Sequence, residues 1–117
     1  MKYNLADFIR LKKNLKPNSE TMILSGSMTP WIKTNEVINL SPCLREDLKP
    51  FDIIVFWSPE SEILICHIYI EFRDGKIITK SLTRNVEDPP LDPQFLLGRV
   101  NRPRFTWLHK MILKFFY

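Results

Sequence analysis

Apolar residues at positions 5, 8, 9, 11 and 15 recur at helical spacing, and the spacing predicts a short amphipathic helix over 5–15 that stops before Pro17. Beyond it the period changes. Short apolar or alternating runs, "ETMIL" (20–24), "EVINL" (36–40), "DIIVFW" (52–57) and "FLLGRV" (95–100), are separated by prolines and polar clusters and read as strands. Gly98, inside the last of them, marks a bulge or a close backbone approach. The clearest unit is "EILICHIYIEFRDGKIITKSL" (62–82). Two isoleucine-rich runs flank Asp74-Gly75, the preferred pair for a type I′ hairpin turn.

With a two-residue loop, Arg73 faces Lys76, Tyr69 faces Lys80 and His67 faces Leu82. Alternation then puts Leu64, Cys66, Ile68, Ile70 and Phe72 on a wholly apolar core face. His67 falls on the other face with Ile65, Tyr69, Glu71 and Arg73, towards a mixed surface or cleft. Many short strands joined by turns predict a mainly β fold, a barrel or coiled sheet with short terminal helices. The 117 residues make one domain, with its core at about 20–100 and an apolar, basic tail at 101–117. That tail reads as packing on the domain, an interface, or a shallow membrane contact.

The net charge of +4 is spread along the chain, so "RLKKNLK" (10–16) and "RPR" (102–104) read as solvated faces, and no nucleic acid partner is expected. Cys43 and Cys66 make neither a disulfide framework nor a metal site, and Cys66 lies in an apolar run as a buried thiol. No secretory signal and no segment long enough to span a bilayer is visible, which points to a cytoplasmic or peripherally membrane-associated chain.

The candidate chemistry starts in "SGSMTP" (25–30). A serine hydroxyl is a weak nucleophile until a base lies within hydrogen-bond reach, an acid orients that base, and donors meet the developing oxyanion. The residues available are Ser25 or Ser27, then His67, then Asp88 or Asp92.

Taken in order, "SGSMTP", "LKPFDIIVF" (48–56), "CHIYIEFRDGKIITK" (66–80) and "NVEDPPLDPQFLLGRV" (85–100) resemble the type I signal peptidase superfamily, which also holds the self-cleaving SOS repressors. The resemblance runs from about Thr21 to Val100. It implies a serine peptidase on a coiled, barrel-like β-sheet, with Ser27 as nucleophile. Ser25 and the Ser27 backbone N–H would form the oxyanion hole. His67 fills the slot that holds histidine in the endoplasmic-reticulum and archaeal branch and lysine elsewhere. Asp88 falls on that branch's second aspartate and is the implied orienting acid, with Asp92 as substitute. Lys80, on the predicted face of His67, is an alternative base.

The chain departs from the pattern at Ser81-Leu82, which replace Gly-Asp, at Ile68, which replaces arginine, and at Phe51, which replaces a glycine. The implied substrate is an extended peptide or leader segment, paired with an exposed strand near 52–57 or 63–69. No cofactor or metal is implied. Two other functions remain open: a catalytically impaired peptide- or protein-binding module on the same fold, and a self-cleaving regulator. For the latter, the 24 residues before Ser25 hold no Ala-Gly or Cys-Gly pair.

Overall fold

A computed structural model describes residues 2–23, 36–81 and 86–101. Ser25, Ser27, Met28, Pro30, Leu82 and the tail beyond Asn101 lie outside the described residues. The chain runs α1 (Leu5–Asn14), β1 (Ser19–Ile23), β2 (Glu36–Ser41), β3 (Ile53–Ser58), β4 (Ile63–Arg73), β5 (Lys76–Lys80) and β6 (Leu96–Val100), with single 3-10 turns at Arg45–Asp47 and Pro93–Phe95. Helix α1 is capped by Asn4, whose side-chain oxygen accepts the Asp7 N–H at 2.8 Å and satisfies one of the orphan donors of the first turn.

The strands form one antiparallel sheet in the order β1-β2-β6-β3-β4-β5. The sheet is not closed among the described residues. Strand β3 lies between β6 and β4, which corrects the expectation of an exposed strand at 52–57. Ile68 and Tyr69 are likewise flanked on both sides, by β3 with its preceding turn and by β5. Gly98 is a close approach: a Cβ there would lie 2.5 Å from the Ser41 carbonyl oxygen on β2.

Because β3 is covered on both faces, its side chains alternate between two cores. Ile53, Val55 and Trp57 join Leu40, Leu64, Cys66, Ile68 and Leu97 in the larger one. Helix α1 closes it with Phe8, whose ring stacks on Trp57 at 5.4 Å and 15°. Ile54 and Phe56 join Tyr69, Ile77, Leu91 and Leu96 in the smaller one. The face predicted to be a mixed surface is therefore itself largely covered.

The β4–β5 hairpin turns at Asp74 (φ 52) and Gly75 (φ 77), the pair of left-handed residues a type I′ turn requires. Arg73 faces Lys76 as predicted, but the register does not continue. A bulge at Ile70 inserts one residue into β4, so Tyr69 faces Thr79 rather than Lys80, and Ile68 faces Lys80. Two expectations change. Phe72 packs with the smaller core. Lys80 stands opposite Ile68, on the alternate face from His67. The expected pairing of His67 with Leu82 falls on a residue outside the described ones.

Before β3, "KPFD" makes a tight turn in which the Asp52 N–H donates to the Lys49 carbonyl at 3.0 Å. Pro50 suits its second position. Phe51 holds φ 75 at its third, a conformation that type II turns normally give to glycine. The Phe51 N–H donates to the Tyr69 carbonyl and the Tyr69 N–H to the Asp52 carbonyl, each at 2.8 Å, which locks the turn onto β4 two residues past His67.

Candidate active site

Residues 86–92 cross the hairpin as a strap, and its composition explains its path. Asp88 precedes Pro89 and Pro90, which favour extended backbone and withhold two N–H groups from any ladder. The strap is tied where donors remain. The Asp88 N–H donates to the Thr79 carbonyl at 2.8 Å, and Ile77 and Leu91 exchange N–H···O bonds at 2.8 and 2.9 Å. Arg73 forks onto both Glu87 oxygens at 3.0 Å. That guanidinium holds the Glu87 carboxyl below its ordinary value, and Glu87 with Glu71 raises Arg73 in turn.

The strap delivers Asp88 to His67. The histidine, on β4, presents a side chain only 12% exposed, and its ring meets Phe56 edge to face with centroids 5.7 Å apart at 78°. His67 Nδ1 lies 2.5 Å from Asp88 Oδ2, and the Thr79 hydroxyl donates to that same oxygen at 2.6 Å. With Asp88 ionised, the geometry puts the neutral imidazole's proton on Nδ1 and its basic lone pair on Nε2. A carboxylate so placed fixes the ring and stabilises the imidazolium that forms when the base takes a proton.

Asp92, the other candidate acid, is not brought to His67. It caps the Pro93–Phe95 turn by accepting the Gln94 N–H at 3.0 Å and lies 3.4 Å from the Lys76 ammonium. The bond from Gln94, then Lys76, lowers its carboxyl below the ordinary aspartate value. Asp52 accepts the Lys49 N–H at 2.8 Å and serves the turn.

His67 and Asp88 open on a cleft of about 530 Å³ walled by Phe56, Ile65, Pro90 and Phe95, with Ser58, Glu60, Ser61 and Lys76 among its polar lining. Among the described residues no cluster of three or more His, Cys, Asp or Glu side chains gathers as a metal set. Nor is any helix among them long and apolar enough to cross a membrane. Cys43 is no rival nucleophile at neutral pH, because burial pushes its thiol up to about 11.

Sequence reasoning missed Thr79 as part of this constellation. In the unbulged register it sits on the core face. The bulge at Ile70 turns it towards His67, and nothing in "IYIEF" announces an extra residue. The Arg73–Glu87 fork was missed as well, although Glu87 stands directly before the acid it helps to place. No family model matches the chain, and no curated protein matches it.

Proposed function

We propose that the protein is a serine endopeptidase resembling the type I signal peptidases, in the branch that uses a histidine base. The observation that carries this reading is the His67–Asp88 pair, held by Thr79 at the wall of a cleft. A second observation supports the resemblance. Phe51 occupies a left-handed conformation at the position where the superfamily's box carries glycine. On this reading the open six-stranded sheet corresponds to the superfamily's coiled, barrel-like sheet.

Ser27 and Ser25 enter from the motif. The Ser27 hydroxyl attacks the scissile carbonyl carbon while His67 Nε2 takes its proton, and the carbonyl π electrons move onto oxygen. The Ser27 N–H and the Ser25 hydroxyl donate to that oxyanion. On collapse the C–N bond breaks, and the imidazolium returns the proton to the leaving amine. Water, deprotonated by the same imidazole, then releases the acyl group and restores Ser27. Asp88 remains a carboxylate throughout. The substrate is an extended peptide lying in the cleft, whose apolar walls suit uncharged side chains near the cleaved bond.

The test compares wild type, Ser27→Ala and His67→Ala on a peptide mixture digested from a whole proteome, with new termini read by mass spectrometry. Wild type cleaves and both variants lose cleavage. Equal cleavage by all three removes the proposal. Tight peptide capture without cleavage by wild type replaces it with the binding module.

A further inference from the structure

We propose that Thr79 is a positioning residue for the His67–Asp88 pair, acting through the carboxylate rather than on the substrate. Its effect on rate rests on the peptidase reading; its effect on geometry does not.

Thr79 is 1% exposed, and a hydroxyl buried so deeply in a strand is costly unless it is hydrogen-bonded. Its partner is Asp88 Oδ2, the same atom that receives His67 Nδ1. Its carbonyl meanwhile accepts the Asp88 N–H at 2.8 Å. One residue therefore grips Asp88 by main chain and side chain together. The grip matters because the carboxylate torsion of aspartate is broad and two-fold, so a backbone tie alone does not select which oxygen meets the imidazole. The β-branched threonine is stiff at χ1 and can hold its hydroxyl on one target. Among the described residues, the other charged groups lining the cleft are Asp92, Lys76 and Glu60, and Asp92 is already engaged with Lys76 and the Gln94 amide.

The competing view is that Thr79 merely fills the strand, a role valine performs equally well. Thr79→Val and Thr79→Ser separate the two. Proton NMR of the resting protein reads the His67 Nδ1 proton, which a 2.5 Å bond to a carboxylate moves downfield of ordinary imidazole N–H signals. The valine variant moves this signal upfield and broadens it by exchange, and the serine variant retains it. On the peptide mixture, valine lowers kcat about tenfold with KM unchanged, and serine stays within about threefold of wild type.

A valine variant with the wild-type signal and rate overturns the proposal. Should that variant not fold, the wild-type protein decides, since the Thr79 hydroxyl proton must be protected from exchange and correlate with the Asp88 carboxyl carbon. A hydroxyl in fast exchange with solvent overturns the proposal too. If no form of the protein cleaves peptides, the peptidase reading fails and the resonance still decides the role of Thr79.

Discussion

Asp88 Oδ2 is the atom on which the candidate site turns, since it accepts from the His67 imidazole and from the Thr79 hydroxyl. Asparagine at 88 keeps the size but replaces one acceptor oxygen with an NH₂ donor, so it cannot serve both donors with the same charge and geometry. On the proposed peptidase reading, Asp88→Asn accordingly lowers kcat by about 10⁴-fold, the scale seen when an orienting acid is neutralised in a serine–histidine enzyme. Initial rates on the peptide mixture check this, and a loss below about threefold would move the orienting role to another group. In the sequence His67 and Asp88 stand out only through the ordered motifs that carry the resemblance, and the structure brings the two side chains together. The preference for Asp88 over Asp92 rested on the same resemblance, and the physical ground for it, Asp88 reaching His67 while Asp92 is drawn to Lys76 and the Gln94 amide, is visible only in the fold.

At the scale of elements, the hairpin and the strap place the acid. The turn was readable because Asp-Gly tolerates the two positive φ values that a type I′ loop demands. The bulge was not, because a strand written "HIYIEF" satisfies period-two patterning with or without an extra residue. The strap's outer tie is the exposed fork from Arg73 to Glu87, weak in its effect on overall stability and screened by salt, yet next to Asp88 in sequence.

Glu87 is held below its ordinary value of 4.5, so the fork is fully present above that pH and is lost as pH falls through the lower folded value. Arg73→Gln removes it at every pH. Hydrogen exchange of the Asp88 and Leu91 amides, which bond to β5, is then faster in the variant than in wild type at neutral pH. The two proteins converge once the pH falls well below 4.5 and Glu87 is protonated. A constant ratio down to acid would mean that Arg73 acts on the strap through something other than this carboxylate.

At the scale of the molecule, one sheet serves two cores. Strand β3 contributes alternate side chains to each, which couples the packing of one to the other. Phe95 joins them physically, packing on Trp57 at 5.4 Å and on Phe8 at 6.4 Å while also lining the cleft. Helix α1 is therefore part of the fold's stability, although it covers the larger core and the site faces the smaller one. Its hold on the sheet is reinforced by the Tyr3 carbonyl, which accepts the Trp57 indole N–H at 2.7 Å. Phe8→Ala removes a ring that is 1% exposed and leaves a cavity over Trp57, at a cost of about 3–5 kcal/mol. Because the cores share β3, that loss appears in a single denaturant transition, with fluorescence and far-ultraviolet dichroism midpoints coincident and lowered together. Two separated transitions would instead show that α1 and the larger core unfold apart from the hairpin that carries His67.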